Sequence, residues 1–300
     1  MARGRPRLKP LPPAEPGRPG SPLSAAVWTY DGERLAEESD QRLFNNSIEK
    51  GMRVLHAFDA ERRQLNVAEV ARAAGLDRSA TQRVVYTLHR LGYLWKDEAT
   101  RRYRLSSRVL DFGSAYLAAD ETASRLPRYF SLIQRRTGEF VALNELDGTE
   151  VVVITRLPSR RFFSVNVQPG MRFPAFCTAT GRAMLAFMPK DGARTILTRS
   201  KRKALTKHTM TDIAAIEREL EQVRADGYCI TEQEAVIGTT TLAIPILGQG
   251  GRAVAAVEFY LPLAEWPRER IKRELAPQAL EAGREMSRSL GARPVSLLRR

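Results

Sequence analysis

The sequence predicts an α+β fold that opens with a winged helix-turn-helix. Three observations predict it. Between Asn46 and Gly92, three stretches carry apolar residues at helical spacing, bounded by capping and stop residues. Two short strand-like runs follow at once, around "DEATR". From about Thr122 onward, strand patterns and helical patterns mix without any internal repeat. The chain has 300 residues, room for about two domains, and its 43% hydrophobic content can fill a core. The pattern divides it into a tail (1–40), a winged helix-turn-helix (41–106), a connecting helix (107–121), a second domain (122–292) and a basic C-terminal tail (293–300).

The tail is rich in Pro, Gly and Arg ("RGRPRLKPLPPAEPGRPGSP"). Such a stretch buries too little apolar surface to offset its ordering entropy, so disorder is expected. Arg3-Gly4-Arg5-Pro6 resembles the core of an AT-hook. There, Gly permits close backbone approach and two Arg meet the negative potential of a narrow A·T minor groove. A basic tail with only non-specific attraction is the alternative.

Asn46 and Glu49 have capping-box spacing, and Ile48, Met52, Leu55 and Phe58 then fall on one face. Asn66 and Glu69 repeat the box before Val67, Val70, Ala71 and Ala74. Gly75 suits a left-handed helix stop, and Asp77 can cap the third helix. Thr81, Val84, Val85, Leu88 and Leu91 form the buried stripe of that helix, which Gly92 ends. Tyr93 to Lys96 and Arg102 to Leu105 make the wing. The outward face of the third helix carries Arg78, Ser79, Gln82, Arg83 and Tyr86. At ~1.5 Å per residue that helix is about 20 Å long, enough to lie along a major groove. Arg101 and Arg102 in the wing are further candidate DNA contacts. A helical hairpin with solvated Arg residues and no DNA partner is the competing reading.

Beyond the wing, "SSRVLDFGSAYLA" reads as a short helix too apolar for a solvated linker, suited to packing in a dimer. "EFVALNEL" and "EVVVITRL" flank Asp147-Gly148, a hairpin signal. "RFFSVNV" is a further strand. "TATGRAMLAF" and "DIAAIERELEQVRADG" read as helices, the second stopped by Gly227. "TTLAIPIL" and "AVAAVEFYL" are strands around "GQGGR", and a last helix runs from about Arg268 to Leu290. Alternation in "AAVEFYL" puts Ala256, Glu258 and Tyr260 on one face, Val257 and Phe259 on the other.

Composition narrows the function. A net charge of +14 and a pI of about 10.3 point to a polyanionic partner, nucleic acid or an anionic membrane. No apolar run reaches the roughly 18 residues of a membrane span, and the basic N-terminus lacks the apolar region of a signal peptide. Two cysteines, Cys177 and Cys229, make no disulfide framework, which fits a reducing cytoplasm. An enzyme is not expected. Cys177 has no His near it in sequence, His56, His89 and His208 lack ligand spacing, and there is no P-loop or dinucleotide fingerprint. No cofactor or metal is expected either.

Three separated motifs carry a family resemblance: "LNVAEVARAAGLDRSATQRVVYTLHRLGYL", "GMRFPAFCTATGRAMLAF" and "DGYCITEQEAVIGTTTLAIPI". Together they resemble the IclR-type transcriptional regulators over about Asn46 to Leu290. "TRLPSRRFFSV" further resembles the branch controlling catabolism of aromatic acids such as protocatechuate and 4-hydroxybenzoate. The resemblance implies an N-terminal winged helix and a GAF-like, profilin-like effector-binding domain. It also implies homodimers or homotetramers on palindromic double-stranded operators that respond to a small organic acid. By the same resemblance, Arg83, Ser79 and Gln82 occupy DNA-contacting positions. Ala179, Thr180, Thr231, Thr241, Glu258 and Tyr260 occupy effector-pocket positions. Thr231 and Thr241 replace the Asp and Cys of glyoxylate-type members, and Glu258 and Tyr260 replace two small hydroxyl residues. An aromatic effector is therefore expected. Phe163 would pack on its ring, and Arg160, Arg161 or Arg182 would hold its carboxylate. A DNA-binding protein with no effector is the rival expectation.

Overall fold

The computed structural model describes residues 43–157 and 167–292. The Arg3–Pro6 motif, the "RFFSVNV" run up to Asn166, Arg160, Arg161, Phe163 and the basic C-terminal tail lie outside the described residues.

The first unit is a helical triad with a hairpin wing: α1 (Asn46–Leu55), α2 (Val67–Ala74), α3 (Arg78–Arg90), β1 (Leu94–Lys96) and β2 (Tyr103–Leu105). The cap of α1 is Asn45, one residue before the expected one, and its Oδ1 accepts from Ser47 N at 3.0 Å and Ile48 N at 3.3 Å. Glu49 pairs with Arg53 instead of closing a box. The shared apolar face of α1 is only partly buried. Ile48 and Met52 are exposed, and the core takes Val54, Ala57 and Phe58. The helix stops at Leu55, so Phe58 reaches the core from the following turn, out of phase with Ile48 and Met52.

The Asn66–Glu69 capping box is closed in both directions, at 3.0 and 2.8 Å. Gly75 takes φ 61°, and a Cβ there would lie 2.8 Å from the Arg53 guanidinium, which donates to Gly75 O at 3.0 Å. Asp77 caps α3 by accepting from Ala80 N at 2.7 Å. Ala80, Thr81, Val85 and Leu88 bury the inner face of α3, whereas Leu91 is exposed because the helix has already ended. Leu94 pairs with Leu105 in the wing, and Leu65 bridges to Tyr103, tying the hairpin to the start of α2.

A 3-10 turn (Ser107–Val109) leads into α4 (Leu110–Ala119), none of whose residues is buried. A long helix, α5 (Glu121–Thr137), follows. The sequence pattern does not announce it, because Pro127 sits in its interior and reads as a stop.

The remaining strands form one antiparallel sheet in the order β5-β4-β3-β8-β7-β6. They are β3 (Phe140–Asp147), β4 (Glu150–Leu157), β5 (Arg172–Pro174), β6 (Cys229–Glu232), β7 (Thr239–Leu247) and β8 (Ala253–Pro262). One face packs on α5 and on the terminal helical run α9 (Arg268–Arg270), a π turn (Ile271–Leu275) and α10 (Ala276–Ser289). The other face, called inner below, packs on α6 (Ala179–Leu185), with α7 (Lys190–Arg199) and α8 (Ile213–Asp226) behind it. β8 alternates as expected, with Ala256 and Tyr260 in the inner cluster and Val257 and Phe259 in the outer one. Gly181 is what seats α6: a Cβ there would lie 2.1 Å from Ala175 O.

Candidate functional site

Arg78, Ser79, Gln82, Arg83 and Tyr86 are all exposed on α3, opposite the buried Val85 and Leu88. Arg83 Nη1 lies 3.3 Å from Ser79 Oγ one turn back, and no carboxylate among the described residues forms an ion pair with it. A row of neutral and cationic donors on a protruding helix has the chemistry needed to meet phosphates and base edges. The two wing arginines part company. Arg101 is exposed at the wing tip in a left-handed conformation, φ 53°. Arg102 turns inward, donating to Gln64 O at 2.9 Å and to both Glu69 oxygens at 2.9 and 3.1 Å. It fastens the wing to the α2 cap, so its guanidinium is already engaged. Arg104, stacked 4.5 Å over the exposed Trp95, presents another cation on the wing, beside the two named from the sequence.

The inner sheet face beneath α6 holds a second constellation. Register places Thr231 opposite Thr241, Thr241 opposite Tyr260, and Tyr260 opposite Phe140. One step along, Glu258 stands between Ala142 and Ala243. Ala179, Thr180, Thr231, Thr241, Glu258 and Tyr260 are all buried here, so the pocket positions named from the resemblance do converge. Tyr260 meets Phe140 edge to face at 5.8 Å.

Polar satisfaction in this face is incomplete. Glu258 Oε2 accepts from Asn144 Nδ2 at 3.2 Å. The Thr180 hydroxyl lies against the same carboxyl but closes no hydrogen bond of ordinary geometry, and Asn144 Oδ1 also has no partner. Burial pushes the Glu258 carboxyl up to about 8, against the opposing pull of Thr180 and Asn144. At neutral pH it is mostly a neutral acid, able to donate as well as accept. Burial, with the charge of Glu258 behind it, also drives the Tyr260 phenol well above its usual range. Buried polar atoms without partners are rare and call for a water or a ligand. Asn144 carries no sequence signal of its own; it becomes visible only through the register with β8.

Arg182 does not join this group. Its side chain is fully buried and donates to Phe176 O at 2.9 Å, to Glu219 at 2.6 Å and to both Glu234 oxygens at 2.6 Å. Glu234 in turn accepts from Met210 N at 2.8 Å. With two carboxylates already on it, Arg182 has no charge left for a ligand; it locks α6 to α8 and to the loop after β6. The expectation that it holds an effector carboxylate is therefore corrected. Cys177 is no nucleophile: it is fully buried, with its thiol pushed up to about 12 by burial. Among the described residues no helix is long and apolar enough to cross a membrane.

Comparison with known proteins joins the two sites. Residues 47–98 match the IclR helix-turn-helix domain, and residues 114–288 match the bacterial transcriptional regulator IclR C-terminal domain. The chain is 31% identical over 278 residues to the Pca regulon regulatory protein of Pseudomonas putida, covering 92% of this chain and 95% of that one. It is 32% identical over 215 residues to the p-hydroxybenzoate hydroxylase transcriptional activator of Acinetobacter baylyi, covering 70% and 79%. The same fold is found in an IclR homologue of Microbacterium hydrocarbonoxydans solved with 4-hydroxybenzoate, with a TM-score of 0.66 and 23% identity over 82% of this chain and 99% of that one. A helix-turn-helix with an open polar face, followed by an α+β domain with a polar group buried beneath α6, thus has its place: the chain belongs to the IclR family of bacterial transcriptional regulators.

Proposed function

We propose that this regulator binds a palindromic operator as a dimer and that a hydroxylated aromatic acid, seated on the inner sheet face, modulates that binding. The observation that carries the effector class is the buried group of Glu258, Asn144 and Thr180, with two polar atoms lacking partners. A ligand hydroxyl both donates and accepts, and so completes all three. The neighbouring Phe140–Tyr260 pair supplies an edge-to-face surface for a ring. A two- or three-carbon acid would leave that surface uncovered. The names of the Acinetobacter relative and of the Microbacterium complex point to the same chemical class.

The dimer reading rests on exposed apolar side chains. Ile48, Met52, Leu91, Leu110, Phe112, Tyr116 and Leu117 are all exposed, and several line a cleft of about 510 Å³ between α1, α3 and α4. A second copy covering the α4 part of this stripe, and leaving Arg83 on the cleft wall open, would bring two recognition helices together, as a palindrome demands.

Calorimetric titration with 4-hydroxybenzoate, protocatechuate, pyruvate and glyoxylate tests the effector class. The aromatic acids are expected to bind and to change operator affinity. Tight binding of pyruvate or glyoxylate, with no heat from either aromatic, overturns it. Light scattering tests the assembly, for which a monomer at micromolar concentration is the adverse result.

A further inference from the structure

We propose that Arg156 is the cationic partner of the effector carboxylate, and that a β-bulge between β3 and β4 delivers it to the site. The proposal rests on the inner face being the effector site. Pairing between β3 and β4 runs in simple register from Asp147–Glu150 to Asn144–Val153, then slips by one residue, so that Leu143 faces Thr155 and Ala142 faces Arg156. Because side chains alternate, one extra residue turns everything beyond it to the other face. Without the slip Arg156 would face Val141 and point into the outer apolar cluster. With it, Arg156 shares the inner face with Ala142.

Ala142 also pairs with Glu258 on its other side. Arg156, Ala142 and Glu258 therefore form one row across three strands. Two inter-strand steps separate the Arg156 and Glu258 backbones by about 10 Å. The residue between them carries only a methyl group. Phe140, two residues from Ala142 on the same face, has the Arg156 guanidinium 5.9 Å from its ring centre and the Tyr260 ring 5.8 Å away. A cation, an aromatic wall and a hydroxyl-binding group thus lie in that order along the face.

Arg156 is also available where Arg182 is not. Its hydrogen bond is to a neutral amide, Gln168 Oε1 at 3.0 Å, and no carboxylate among the described residues forms an ion pair with it. It is half-buried, where a guanidinium–carboxylate pair is screened less than on an open surface. A carboxylate at Arg156 and a hydroxyl at Glu258 give the ligand one orientation.

The test is calorimetry on the full-length chain with 4-hydroxybenzoate, benzoate, 4-hydroxybenzyl alcohol, pyruvate and succinate, comparing wild type, Arg156→Gln, Arg156→Lys and Glu258→Leu. Circular dichroism and melting temperature verify the fold of each. Arg156→Gln is expected to weaken both carboxylates about 10- to 100-fold and to spare the alcohol. Arg156→Lys should recover part of that loss. Glu258→Leu, which offers no hydrogen bond, should weaken 4-hydroxybenzoate more than benzoate. Binding of 4-hydroxybenzoate to Arg156→Gln within twofold of wild type overturns the proposal, as does an equal loss for the acids and the alcohol. If wild type binds pyruvate or succinate in an Arg156-dependent way and no aromatic, the aromatic reading falls and Arg156 stands. If wild type binds none of these carboxylates, both fall.

Discussion

At the scale of single residues, the decisive feature is a carboxyl group with no cation beside it among the described residues. Glu258 is buried among Ala142, Ala243, Asn144 and Thr180, and its carboxyl titrates at about 8. In the unfolded chain it titrates near 4.5. Between those values the folded protein keeps the proton and the unfolded chain has lost it. Stability contributed by the neutral acid is complete below about pH 4.5 and declines as pH rises toward 8, by up to about 1.4 kcal/mol per pH unit. Glu258→Gln keeps a neutral acceptor for Asn144 and does not titrate. The expected result is that urea denaturation at pH 5.5 and 7.5 shows wild type losing stability relative to Glu258→Gln on going to the higher pH. A constant difference between the two proteins would mean that the carboxyl ionises freely in the fold. Arg182 illustrates the opposite solution at the same depth. Its charge is balanced by Glu219 and Glu234, and breaking such a buried set leaves an uncompensated ion. That makes Arg182 a structural residue, unlike Arg156, whose amide partner a ligand can displace.

At the scale of elements, the recognition helix owes its placement to local signals. Asp77 fixes its start, Gly75 turns the chain into it, and Thr81, Val85 and Leu88 choose its buried face. Arg83→Ala and Gln82→Ala remove only exposed atoms, so melting temperatures should stay unchanged. Operator affinity should fall by ~1–3 kcal/mol per half-site for a lost base contact. A lost phosphate contact would instead weaken all sequences alike and lower the salt slope by about one. Wild-type affinity in both variants at physiological salt would contradict the assignment. These elements were legible in the sequence because caps, glycine stops and 3.6-residue spacing are local. So was the inner face of β8, because alternation is local too. What stayed hidden is non-local. The β3–β4 slip that turns Arg156 inward depends on two strands at once, and the plain run "EVVVITRL" cannot show it. The exposure of Ile48 and Met52 is hidden for a related reason. An apolar face says that something will cover it, not that the same chain will. Arg102 looked free as a wing cation because its partner Glu69 lies 33 residues away.

At the scale of the whole molecule, the question is how a ligand on the inner face reaches the DNA-binding helices. The connecting helix α4 meets the sheet domain at Glu145, where the Tyr116 hydroxyl donates to Glu145 Oε2 at 2.5 Å. Burial, with the Asp120 carboxyl nearby, raises the Glu145 carboxyl above its ordinary range, against the opposing pull of Tyr116. Glu145 directly follows Asn144, which donates to Glu258 from the opposite face of the same strand. Asn144 is also the last residue of β3 paired with β8; Glu145 is held by β4 alone. The bulge lies immediately before this pair. A ligand that engages Glu258 and Asn144 therefore acts one peptide unit from the anchor of the connecting helix. At its other end, Phe112 of that helix stacks on Tyr93 at the base of the wing, with ring centres 5.7 Å apart. Coupling between two sites is a free energy that each ligand must feel equally. The variant that isolates it is Tyr116→Phe, which removes one hydroxyl from a half-exposed side chain and leaves both sites untouched. Its affinity for 4-hydroxybenzoate, measured without DNA, is expected to stay within about twofold of wild type, a change of no more than ~0.4 kcal/mol. Its operator affinity without effector should likewise persist, while the factor by which the effector changes operator affinity shrinks toward one. A full wild-type response in Tyr116→Phe would show that the signal leaves the sheet by another contact, the Asp120 carboxyl beside Glu145 being the nearest one.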